Sequence, residues 1–249
     1  MTRPRLLIAL GLGAFIVLLL VTLPAQVVTS RMGRFGVDAT GVSGTLWKGQ
    51  AAMVTVRAVP LGQVSWDLHV LKLLAGRASA TVAVKQADAF AQGDVSASLG
   101  GRITLSDLTA SWSLATLSVP GLPSGWKGTA NARFPRIVIE GGLPVDVAGT
   151  LDVSNLVGPA NRPANLGSYR ATFPSAAAPQ GNGIAADLKD VDGPINVAAT
   201  IRVQRDRSYL VEGQVATRPE APPQVVSALQ YLGEADASGR RPFSISGTF

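Results

Sequence analysis

The sequence has no cysteine and a single histidine, His69, in 249 residues. Without thiols it can form no disulfide, no zinc–thiolate site and no cysteine nucleophile. One histidine leaves the commonest near-neutral general base at one position only. Charge is also scarce: Asp, Glu, Lys and Arg make up 15% of the chain, against 47% hydrophobic residues. That balance is too apolar for disorder, and 27 Gly and 16 Pro interrupt it too often for a helical bundle. The 22 cations against 16 anions are scattered, with no block longer than Arg240-Arg241 and no cationic stripe interleaved with aromatics. Nucleic acid is therefore not expected as a partner.

What the sequence does have is one long apolar run. Leu6–Leu23 carries no charge and a single weakly polar residue, Thr22, behind Arg3 and Arg5. As a helix it would span roughly 27 Å, close to the thickness of a bilayer's hydrocarbon core. A cleavable signal peptide would have a shorter core ending in a small-x-small triplet, whereas this junction reads Leu23-Pro24-Ala25-Gln26. The expectation is a retained signal-anchor over residues 1–24, a stem over 25–36, and an exported β-rich domain over 37–249.

Beyond the stem, period-2 alternation recurs almost to the end. Val64, Trp66 and Leu68 alternate with Ser65 and Asp67, and Ala110 and Trp112 with Ser111. Tyr169/Ala171/Phe173, Ile184/Ala186/Leu188, Ile195 to Val203 and Phe243/Ile245 follow the same rule. One packed face and one wet face are the habit of an antiparallel sheet. The fold class is mainly β, either a sandwich or a curved open sheet, with one or two short helices at Val70–Ala75 and Pro222–Leu232. Pro223 suits a first helical position, and Gly233 a helix end. Residues 157–183, rich in Pro, Asn, Ala and Gly, read as the least structured part, interrupted by a strand from Gly167 to Phe173. Trp47-Lys48-Gly49 echoes Trp126-Lys127-Gly128, which raises two similar halves near 37–120 and 121–249 as an alternative.

No chemistry emerges. Ser65, Asp67 and His69 share a strand face but stand about 6.5–7 Å apart, too far for a relay. Asp187, Asp190 and Asp192 before Gly193 lack the ligand spacing of a calcium loop and read as a turn between strands ending at Leu188 and starting at Ile195. No catalytic residue, metal ligand or cofactor is expected. Trp47, Trp66, Trp112 and Trp126 read as core fillers.

The phrase Gly41-Val42-Ser43-Gly44-Thr45-Leu46-Trp47-Lys48-Gly49-Gln50-Ala51 resembles that of the type II secretion system protein N family. Leu61-Gly62-x-Val64-x-Trp66, Leu73-Leu74-Ala75-Gly76-Arg77 and Asn165-Leu166-Gly167-x-Tyr169 agree in order. The candidate residues are Ser43, Gly44, Thr45, Leu46, Trp47, Gly49 and Trp66. In the second half the family tends to carry a further Trp near Val147, which is absent here. The resemblance implies a non-catalytic accessory subunit of the machinery exporting folded proteins, inner-membrane anchored and mostly periplasmic, with other secretion subunits as partners. The competing reading is an envelope lipid binder of the AsmA-like kind, in which an open trough shelters acyl chains. A closed sandwich would leave no room for them, and the phrase favours secretion.

The expected topology is checked with a reporter active only in the periplasm. Fused after Phe249 it should be active, and at the N-terminus silent. Recovery of most of the protein as a soluble, N-terminally trimmed form would overturn the retained anchor.

Overall fold

The computed structural model of the chain describes residues 22–26, 33, 36–56, 59–73, 76–116, 125–159, 163–174 and 183–248. The anchor expected over Leu6–Leu23 lies, apart from Thr22 and Leu23, outside these residues. Among the described residues no helix is long and apolar enough to cross a membrane. The chain forms two compact units. The first runs to Ala87 and includes Asp94–Ser96; the second comprises Asp88–Gly93 and the residues from Ala97 onward.

The first unit is built from β1 (Val37–Thr40), β2 (Ser43–Gly44), β3 (Lys48–Val56), β4 (Val59–Leu68) and β5 (Arg77–Gln86), with a helical turn α1 (Val70–Leu73). The sheet order is β1-β3-β4-β5, and β2 lies beside β1 along the same edge of β3. Strand β6 (Ala89–Ser98) contributes residues to both units. The second unit continues with β7 (Ile103–Ser113), β8 (Lys127–Glu140), β9 (Leu143–Val157), β10 (Asn165–Phe173), β11 (Gly183–Asp192), β12 (Ile195–Gln204), β13 (Ser208–Thr217) and β14 (Arg241–Thr248). These pair antiparallel in sequence order. Helix α2 (Pro223–Gln230) falls between β13 and β14, starting at the expected proline.

Register explains the two faces of the second unit. Ala110, Ala132, Leu151, Ala171, Leu188, Ala199, Gly213 and Phe243 stand opposite one another in turn, one row across eight strands. The adjacent row on the other face contains Asn131, Asp152, Arg170 and Lys189. That polar face is tied by ion pairs: Arg170 with Asp152, Arg136 with Asp146 at 3.2 Å, and Arg202 with Glu212 at 2.9 Å. Each is half-exposed and worth at most about 1 kcal/mol.

The sheet is open. Within each unit the described strands form a single sheet path, and no second sheet covers it, so the sandwich alternative is not realised. Its consequence is visible in burial. The buried apolar residues are alanines, valines and Ile195, while Trp112, Phe134, Leu151, Phe173 and Phe243 remain partly exposed. Phe134 and Phe173 meet edge to face, centroids 5.4 Å apart, above Gly149. A Cβ on Gly149 would lie 2.6 Å from the Phe134 ring, so a larger residue there would displace the pair. The best-packed spot is one end of the face, where Val225 of α2 closes on Ile195 and Val215 with Leu166, Val197, Leu229 and Phe243 around them.

Asp190 departs from its expected turn. Strand β11 runs through to Asp192, and the turn is Gly193-Pro194. The Asp190 side chain is 8% exposed; it pairs with Arg218 and accepts the Val197 N–H at 2.8 Å. Arg218 also donates to the Gly193 carbonyl. A carboxylate with no outward path was recruited as a lock between β11 and the end of β13. Beside it the Tyr169 hydroxyl donates to the Leu166 carbonyl at 2.6 Å. Burial, reinforced by the Asp190 carboxylate and opposed by Arg218, pushes the Tyr169 pKa up to about 12.

Two outcomes follow. Arg218→Ala should lower unfolding stability by roughly 2–4 kcal/mol, since it orphans a buried carboxylate although Arg218 itself keeps some contact with water. Chemical denaturation would register it, and a change within 0.5 kcal/mol would refute the lock. The raised Tyr169 pKa stabilises the fold fully below the ordinary tyrosine value near 10, and that contribution is lost as pH rises towards about 12. Tyr169→Phe should flatten this part of the alkaline unfolding curve.

Candidate functional site

The phrase singled out in the sequence builds a compact junction in the first unit. Ser43 and Gly44 form β2, opposite Gln50 and Gly49 of β3. Thr45 turns the chain between the two strands. Its N–H donates to the Lys48 carbonyl at 2.9 Å, its hydroxyl lies 3.3 Å from the same oxygen, and the Lys48 N–H donates to that hydroxyl at 3.1 Å. The Trp47 carbonyl accepts the Leu68 N–H at the end of β4. Trp66 sits opposite Gly49 on β4 and donates its indole N–H to the Leu46 carbonyl at 3.0 Å. Gly49 is needed there: a Cβ would lie 2.6 Å from the Trp66 ring and 2.8 Å from the Ser43 carbonyl.

The same junction receives the residues that follow the apolar run. The Leu46 N–H donates to the Leu23 carbonyl at 2.9 Å, Pro24 bridges to Thr45, and the Gln26 side-chain amide donates to the Val42 carbonyl at 3.1 Å. Ala25 is 1% exposed. The Leu46 backbone thus binds Leu23 through its N–H and Trp66 through its C=O. All seven candidate residues fall in this junction. Sequence reasoning missed the docking of 23–26; the small Ala25, able to approach a sheet closely, was the one available signal. Of the stem expected at 25–36, Ala25, Gln26, Gly33 and Gly36 are described.

An open hollow of about 410 Å³ lies beside the junction, lined by Ser43, Lys48, Gln50, Ser65, Asp67 and Thr81 among others. Its charges are internally matched. Lys48 pairs with Asp67 at 3.2 Å, and the Thr81 hydroxyl donates to Asp94 at 2.5 Å. His69 takes no part: its Nδ1 lies 3.2 Å from the Ser79 hydroxyl just beyond β4. Ser65, Asp67 and His69 therefore do not assemble into a relay, since Asp67 is directed to Lys48 and His69 to Ser79. Among the described residues no group of three or more His, Asp or Glu could hold a metal ion.

The second copy of the Trp-Lys-Gly phrase occupies the corresponding place at the start of β8. Lys127 opens the strand as Lys48 opens β3, and Gly128 (φ +135°) runs so close to β9 that a Cβ would lie 2.9 Å from the Ser154 carbonyl. The environments of the tryptophans differ. The indole N–H groups of Trp126 and Trp112 are buried without a hydrogen-bond partner.

Comparison with known proteins agrees with the phrase. The family model for the type II secretion system (T2SS), protein N, matches residues 36–244. A type II secretion system protein N of Aeromonas hydrophila is 31% identical over 279 aligned residues, covering 99% of each chain. Another, from Vibrio cholerae serotype O1, is 41% identical over 80 residues, covering 30% of this chain and 32% of its own. No solved structure matches this chain. Matched over most of its length by the family and end to end by one of its proteins, the chain belongs to the type II secretion system protein N family.

Proposed function

We propose that this chain is a non-catalytic scaffold subunit of the type II secretion machinery. Leu6–Leu23 anchors it in the bacterial inner membrane, and residues 37–249 lie in the periplasm, contacting other subunits during export of folded proteins across the outer membrane. The observation that carries this reading is the junction at Leu46. The phrase shared with the family holds the residues directly after the apolar run, so that the membrane segment and the sheet are joined through Leu23–Gln26 rather than by a slack tether. A scaffold needs such a joint, because a fixed attachment limits the orientations a domain can offer its partners. In the polar hollow beside the junction, Lys48 is already paired with Asp67.

A second reading is favoured by one observation, the open apolar face of the second unit. Large side chains left partly exposed along eight strands forgo about 25 cal/mol per Å² of unburied apolar surface, and a lipid chain would cover them. In that reading the same anchored protein handles lipid within the envelope.

Deletion separates the two. A scaffold deletion should leave exported substrate in the periplasm with envelope permeability unchanged; normal secretion with new detergent sensitivity would replace the first reading by the second. His69→Ala should leave secretion unchanged at normal protein abundance. A large loss there would overturn the non-catalytic assignment.

A further inference from the structure

The end of the second unit's apolar face contains a cavity of about 530 Å³ between α2 and the strand ends, within the size range of small-molecule sites. Trp126, Leu166, Ile195, Val225 and Leu229 supply most of its apolar wall. Two of these, Ile195 and Val225, also belong to the packed cluster that includes Val197 and Phe243. The cavity wall therefore runs into the open face, and a chain seated in it can continue along the sheet.

Its polar groups are one-sided. Trp126 lines the cavity, and its indole N–H is buried with no acceptor. Trp112 repeats the situation nearby: it stands opposite Ala130, four residues after Trp126 at the same end of β8. Buried indole N–H groups ordinarily find a partner, so two orphans at one end of a sheet point to an acceptor supplied from outside the chain. Among the described residues, Gln224 is the one lining side chain with an acceptor, and none that lines the cavity is charged.

We infer that this cavity holds an acyl chain of a membrane glycerolipid, with its ester carbonyl accepting the Trp126 N–H. This rests on the second reading above and gives it a site. An ester brings acceptors without donors, matching the lining. A peptide segment would bring N–H donors that the described lining could satisfy only at Gln224 and at backbone carbonyls. A free fatty acid would place a carboxylate against a wall with no cation among the described residues, at a desolvation cost that an ester avoids. The apolar run at Leu6–Leu23 is expected to hold the chain at a bilayer, where glycerolipids are the abundant acyl source.

Photo-cross-linking of the full-length chain in its own membranes tests the site. p-Benzoylphenylalanine is placed singly at Ala228 in the cavity, at Ile201 on the open face, and at Thr172 on the polar face, and adducts are identified by mass spectrometry. A glycerolipid adduct at Ala228 and none at Thr172 is expected. Trp126→Phe, which keeps an aromatic ring but loses the pyrrole part of the indole with its N–H, should cut the Ala228 adduct at least roughly fivefold, the equivalent of one hydrogen bond of about 1 kcal/mol, while leaving any Ile201 adduct unchanged. An adduct at Ile201 but not at Ala228 would overturn the cavity assignment while the lipid reading stood. A fatty-acid adduct at Ala228, or a yield indifferent to Trp126→Phe, would overturn the ester contact. Cross-links only to protein, to another segment of this chain, or to nothing would overturn both the site and the lipid reading.

Discussion

Everything in the second unit depends on keeping one alternation in phase across eight strands. Side chains in a strand change face at every residue, so a single-residue slip would send a whole apolar set to the wet side. Leu105 stands opposite Ile137, and Leu108 opposite Phe134. Steps of three residues would turn these pairs to opposite faces in a regular ladder. The left-handed backbone of Asp107 (φ +52°) and the register shift between Arg133 and Arg136 absorb the extra residue on each strand. Ile137 then meets Val147, which shares a face with Leu151 on β9. The irregularities are what allow the apolar face to be continuous.

A different constraint organises the first unit, where the backbone of one residue does two things. The Leu46 carbonyl is occupied by the Trp66 indole and its N–H by the Leu23 carbonyl. The first bond requires Gly49 beneath the ring, and the second requires a tight turn at Thr45 to present the N–H outward. Ser43, Gly44, Thr45, Trp47 and Gly49 therefore form one device for holding Leu46 in place. A motif with no catalytic group can still be demanding about residue type when its product is a backbone position.

Much of this fold is legible in the sequence because its contacts are local. From β3 onward each strand pairs with the next, so alternation and turn residues suffice, and Pro223 marks the start of α2 before any contact is known. What alternation cannot reveal is whether the sheet closes, because closure depends on strands far apart in sequence meeting face to face. The sandwich and the open sheet share one pattern. The role of Asp190 is hidden for a related reason: its partner Arg218 is 28 residues away, and three nearby acidic residues look like a turn when that pairing is unseen. The docking of Leu23 against Leu46 is equally long in sequence and is made by backbone atoms, which leave no trace in residue type.

An open apolar face raises the question of how the chain avoids aggregation. Its composition supplies part of the answer. Across the middle of the face Ala132, Ala171 and Ala199 alternate with Leu151 and Leu188, followed by Gly213, whose added Cβ would come within 2.5 Å of the Ala199 side chain. Small residues there keep the exposed apolar area low and bury what they have against neighbouring backbone. The larger groups, Trp112, Phe134, Phe173 and Phe243, rise around this floor. A floor in which small residues alternate with leucine, bordered by aromatics, is a poor way to build a self-contained core and a suitable way to leave room for something else. The cross-strand charges on the opposite face add little stability, but they keep that side wet and direct any apolar contact to the other.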